Sequence, residues 1–122
     1  MKFLKALFIL LGLTITTTSY GSSLEFDAVT KNGREMTLKI EGRKVTRDVE
    51  SAILCGDDNS DVVLAKLWMP DHGHGSGPTE LSETRDDCTL VDYIEFTMLG
   101  NWDIQIKFTD GDKGVFHVKV VR

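Results

Sequence analysis

The sequence predicts an all-β domain, an immunoglobulin-like antiparallel β-sandwich of about seven strands. Three observations carry that expectation. Short segments alternate apolar and polar residues with a period of two. Turn signals rich in Gly, Asn and Asp separate them. No stretch sustains a 3.6-residue period. A small closed barrel is the alternative arrangement of the same strands.

The N-terminus precedes this pattern. Lys2 and Lys5 open a positively charged segment, and Ala6–Ile15 is an apolar run of ten residues. Thr16–Gly21 is small and polar, with Ser19 and Gly21 suited to the −3 and −1 positions of a cleavage site. The sequence therefore predicts a signal peptide over residues 1–21 and an exported domain, periplasmic or secreted, over residues 22–122. A retained membrane anchor is the competing reading, but a spanning helix needs about 20 apolar residues. No Cys follows the apolar run, so lipid attachment is not expected.

The strands follow in order. Leu24, Phe26 and Ala28 alternate with Glu25 and Asp27. Lys31-Asn32-Gly33 is a hairpin turn. Met36, Leu38 and Ile40 then alternate with Thr37, Lys39 and Glu41. Arg47–Leu54 fits either a short helical turn or a strand. Asp57–Asp61 is an acidic turn, and Val62–Met69 reads as a central strand buried on both faces. Asp71–Pro78 holds three Gly and a Pro, which exclude regular structure. Thr79–Cys88 is polar and suits an edge strand. Val91–Leu99 alternates again, with Ile94, Phe96 and Met98 in phase. Trp102, Ile104, Ile106 and Phe108 form the clearest strand. After the turn Asp110–Gly114, Phe116, Val118 and Val120 form the last.

Composition narrows the function. The 122 residues suit one domain, with 41% apolar and 27% charged residues. The net charge of −5 falls to −7 when residues 1–21 are removed, because that segment takes two Lys and no acid with it. A nucleic-acid binder needs a positive footprint that the composition does not supply. Two Cys are too few for a Cys-rich zinc module. Enzyme signatures are missing: there is no Gly-x-Ser-x-Gly elbow and no His-Glu-x-x-His. Ser76 and His74 have no evident third partner, and Glu80, Glu83, Asp86 and Asp87 read as a solvated run. No catalytic residues are expected.

Cys55 and Cys88 suit a disulfide in an oxidising compartment. Free thiols and metal ligation are the alternatives, and the neighbouring Asp57-Asp58 and Asp86-Asp87 disfavour the thiolate that ligation needs.

The segment Met69-Pro70-Asp71-His72-Gly73-His74-Gly75 carries the most chemistry. His72 and His74 are two of the three His in the chain, and Gly beside them lets the imidazoles converge. Imidazole suits copper, zinc or nickel, and the thioether of Met69 adds a soft ligand that favours Cu(I). The alternative is a Gly-rich turn with solvated His. Met98, in phase with Ile94 and Phe96, belongs either to the core or to the same rim as Met69. His117 is out of phase with its apolar neighbours and faces solvent. Trp68 and Trp102 read as core or rim aromatics.

Met69-Pro70-Asp71-His72-Gly73-His74-Gly75, followed by Phe96-Thr97-Met98-Leu99-Gly100-Asn101-Trp102, resembles the YtkA-like family, which is related to FixH proteins. The likeness covers roughly residues 62–121. The family usually has Pro after the second Met, where this chain has Leu99. The resemblance implies an immunoglobulin-like domain outside the cytoplasmic membrane. Its motif residues here are Met69, His72, His74 and Met98. FixH-like relatives are linked with copper supply to a haem–copper oxidase and carry a membrane helix. The expectation is an exported, non-enzymatic protein that binds copper at a Met/His loop site and serves a copper-dependent or envelope partner. The alternative is a structural or interaction module without metal. Nucleic acid is not an expected partner, and membrane contact is expected only through an uncleaved signal segment.

Overall fold

The computed structural model describes residues 22–122, so the expected signal segment lies outside the described residues. The alternating segments form ten strands: β1 (Ser23–Val29), β2 (Glu35–Glu41), β3 (Val45–Thr46), β4 (Ser51–Gly56), β5 (Val62–Met69), β6 (His74–Gly75), β7 (Glu80–Glu83), β8 (Thr89–Asp92), β9 (Gly100–Phe108) and β10 (Lys113–Val121). They lie in two separate sheets, ordered β1-β2-β4-β8-β7 and β3-β10-β9-β5-β6. The molecule is therefore a sandwich and not a barrel. Every pairing is antiparallel except the short parallel contact of β3 with β10. Four strands, β2-β4-β8-β7, facing three, β10-β9-β5, form the immunoglobulin arrangement. β1 and the two-residue strands β3 and β6 are additions to those seven.

The core is built from the inward half of each alternation. Met36, Leu38, Ile40 and Leu54 on one sheet meet Leu67, Trp102, Ile104, Phe108, Phe116 and Val120 on the other, all buried. Period-two placement sends their neighbours outward, and a one-residue slip would expose the whole set. Truncating a fully buried member such as Leu38 to Ala should cost about 2–5 kcal/mol.

Three local expectations need correction. β5 is not buried on both faces: Val62, Ala65, Leu67 and Met69 are buried, while Val63, Leu64 and Lys66 are exposed. A β-bulge between Val62 and Leu64 turns two successive residues outward. The strand expected over Val91–Leu99 stops at Asp92, because Tyr93 adopts φ 61°, outside extended geometry. Ile94 and Phe96 stay buried beyond the break, but Met98 is 38% exposed. The Gly-rich loop holds one piece of regular structure, β6, paired with the end of β5. Within the undecided segment, Ser51–Leu54 is strand.

Cys55 and Cys88 form a disulfide with Cα atoms 4.6 Å apart. The β4–β8 ladder ends at Leu54 opposite Thr89, so the two Cys are the next pair along it. The link staples adjacent strands of one sheet at their ends.

A second tie joins three turns. Arg34 contacts Asp58 at 2.9 Å, Asp110 at 3.0 Å and Asp112 at 3.0 Å. Its guanidinium lies 4.4 Å from the centroid of the Phe108 ring. Asp112 is buried, and it accepts from Thr30 Oγ1 at 2.6 Å and from the backbone N–H groups of Asn32 and Lys113. Burial pushes the Asp112 carboxyl up, but those donors and Arg34 outweigh it and hold the group below its ordinary range. The Arg34 hydrogen bond, helped by the Asp112 N–H, lowers Asp110 likewise. Hydrogen bonds to Asp110 and Asp58 raise the guanidinium in turn.

Candidate functional site

The loop after β5 turns back on itself at once. The N–H groups of His72 and Gly73 both donate to the Met69 carbonyl, at 3.1 and 2.9 Å. Gly73 has φ 67°, the left-handed region that Gly enters without strain. The chain then pairs His74 with Met69 and Gly75 with Trp68. A Cβ on Gly75 would lie 2.4 Å from the Leu67 carbonyl oxygen, so only Gly lets β6 close on β5. Thr79 Oγ1 donates to the Ala65 carbonyl at 2.6 Å and fastens the far end of the loop.

This fold places the two imidazoles side by side. The His72 and His74 ring centroids are 5.7 Å apart, tilted by 44°. Both residues are exposed. His74 Nδ1 lies 3.3 Å from the Gly75 carbonyl oxygen. The His74 ring also meets Trp102 edge-on, with centroids 6.4 Å apart.

Trp102 organises the rest. Its side chain is fully buried, and it packs edge-to-face on Phe96 at 5.4 Å. Its Nε1 donates to the Met98 carbonyl at 2.9 Å. That bond fixes the Met98-Leu99 bend at the start of β9, where Met98 is partly exposed. Met69 is 1% exposed, and its methyl carbon lies 3.3 Å from where a Cβ on Gly100 would stand. Met69 thus lies beneath the same rim that displays Met98.

Of the four residues expected from the sequence, His74 and Met98 touch the buried Trp102 indole, His72 lies beside His74, and Met69 packs beneath Gly100. His72, His74 and Met98 are open to solvent, and Met69 is in the core. Among the described residues, no group of three or more His, Cys, Asp and Glu is placed to hold a metal ion. Any ligand set here must use a thioether or a ligand from elsewhere.

No family model, curated protein or solved structure matches this chain.

The donor set can be judged on its geometry. With metal–nitrogen bonds of about 2.0–2.1 Å, two imidazoles on one ion place their centroids roughly 5–6 Å apart. The His72–His74 separation falls in that range. A thioether added to such a pair would suit a soft ion.

One pair escaped the sequence reading. His117, solvent-facing as expected, makes a 2.7 Å contact from Nδ1 to Asp103 Oδ1. The two are registered partners across the β9–β10 hairpin. The signal was present in their equal spacing from Asp110, at the hairpin turn. The pair borders a shallow recess with Pro70, Asp71, Asn101 and Lys119, beside the loop.

Proposed function

We propose that this protein is an exported β-sandwich that binds a copper ion through His72, His74 and Met98, and handles copper outside the cytoplasm. The single observation that carries this reading is the pair of adjacent, exposed imidazoles at 5.7 Å. The resemblance of residues 69–75 and 96–102 to the YtkA-like motif supports it, as does the disulfide, which suits an oxidising compartment.

Each residue has a role in this reading. His72 and His74 supply the nitrogen ligands. The Gly75 carbonyl orients His74, as outer partners of ligating His do. Met98, whose carbonyl is held by the same Trp102 that His74 meets, supplies a thioether. Met69 lies one layer deeper, and its unbranched side chain must turn outward to add a second sulfur. The chain itself performs no chemistry on the ion: it selects, holds and releases it. An open site of this kind suits transfer to a copper-dependent or envelope partner. Copper titration of the purified protein tests the reading. Stoichiometric binding that His72→Ala with His74→Ala abolishes supports it. Equal binding by both proteins, or none by either, leaves a module that works without metal.

A further inference from the structure

The two outer faces of the sandwich carry opposite charge. On the β10-β9-β5 face the register sets Leu64, Lys107 and Lys113 in one row, Lys66, Gln105 and Val115 in the next, and Trp68, Asp103 and His117 in a third. Lys119 follows beside Asn101. The only carboxylate in these rows is Asp103, which faces His117. Lys66 Nζ lies 5.0 Å from the Trp68 ring centroid, and Val63, Leu64 and Val115 are exposed nearby.

The outer face of the other sheet is the reverse. β1 and β2 present Glu25, Asp27, Glu35 and Glu41, and the paired residues Glu80 and Asp92 extend the acidic surface across β7 and β8. Lys39 is the one cation in those strands, and Val29 is 68% exposed among the acids. Among the described residues, the ion pairs are those of Arg34 and of His117, and none of them engages a lysine of the one face or an acid of the other.

We propose that the lysine face of one molecule docks on the acidic face of a second copy. The argument is charge complementarity between two flat surfaces of the same chain, each with exposed aliphatic residues among its charges. Sandwich sheets lie about 10 Å apart and the Debye length is about 10 Å at 0.1 M salt, so a docking partner responds to the nearer face and not to the net charge. The contact joins unlike surfaces, so each added copy leaves one face of each kind open, and assembly proceeds head to tail. Exposed ion pairs are individually weak. The assembly is therefore weak and sensitive to salt. It does not depend on the metal reading.

Sedimentation velocity on the purified protein tests this, at about 20 mM and about 300 mM salt. At low salt the mean mass should rise with concentration past twice the monomer, and at high salt it should return to the monomer. Lys107→Glu with Lys113→Glu should abolish the rise, and so should Glu35→Lys with Glu41→Lys. Mixing the two variants should restore association, because each retains one native face. Matched circular dichroism melts confirm that both variants fold. A monomer at low salt overturns the proposal, as does a dimer that neither pair of substitutions disturbs. A monomer whose lysine face binds anionic vesicles or polyglutamate assigns that face to another partner and overturns it too.

Discussion

The indole of Trp102 donates to the carbonyl of Met98, four residues before it, at 2.9 Å. A buried aromatic thereby sets the position of a rim residue that is 38% exposed. Core packing and the candidate ligand are coupled through one hydrogen bond. Trp102→Phe keeps most of the ring but loses the donor. It should cost about 0.5–1.5 kcal/mol for the bond and weaken Cu(I) binding by freeing the bend. Trp102→Ala should cost about 3–5 kcal/mol. Urea unfolding gives the first quantity and competitive titration the second.

His72→Ala with His74→Ala should abolish Cu(II) binding and change stability by less than about 0.5 kcal/mol, because both side chains are exposed. Met98→Ala should weaken Cu(I) more than Cu(II), since thioethers prefer the softer ion. Acid should release the metal, because a protonated imidazole has no lone pair to give. Titration at neutral and acidic pH checks all three.

Gly75→Ala should undock the loop without unfolding the sandwich. Its Cβ meets the Leu67 carbonyl, and relief requires β6 to leave β5. Amide exchange at His74 and Gly75 should accelerate, while exchange in β9 and β10 stays slow. Unchanged protection at these two amides would refute this account of the turn.

Native protein should show no alkylatable thiol until a reductant is added. Reduction should lower stability by about 3–4 kcal/mol for the 33-residue separation in the chain-entropy account. Mass spectrometry after alkylation and a denaturant titration measure the two effects.

Asp110 and Asp112 have carboxyls held below their ordinary range. A depressed carboxyl contributes stability that is complete above its unfolded pKa, about 3.9 for Asp, and that is lost as pH falls through the lower folded value. Thermal stability should hold down to about pH 4 and fall below it. Arg34→Met removes the cation from the buried Asp112, so the variant should be weaker at neutral pH. Its deficit should shrink as acid neutralises the carboxyl. A deficit that stays constant with pH would show that the clamp acts through packing alone.

The strands were legible because period-two burial is a local rule, and Trp102–Phe108 and Phe116–Val120 obey it without exception. Departures arose where a single backbone angle or an inserted residue broke the rule. The φ of Tyr93 ended β8 early, and the bulge at Val63 turned Val63 and Leu64 outward together. Neither has a composition signal: Tyr is a good strand former, and Val63 looks like its buried neighbours. The Cys pairing was readable from their number and the expected compartment, but not that the bond lies within one sheet. At the site, sequence proximity placed His72 beside His74. It did not show that Met69 faces inward while Met98 faces out, because that depends on where Gly100 bends the chain across the rim.

The bulge has an effect beyond β5 itself. β6 covers only Trp68 and Met69, so among the described residues no strand lies beside the rest of that sheet edge. An open, flat edge is a template on which another chain can add a strand and begin aggregation. Here the extra residue at Val63 bends the edge, Lys66 sets a charge on it, and Thr79 occupies the carbonyl of Ala65. Backbone pairing with another chain is thereby hindered along this border.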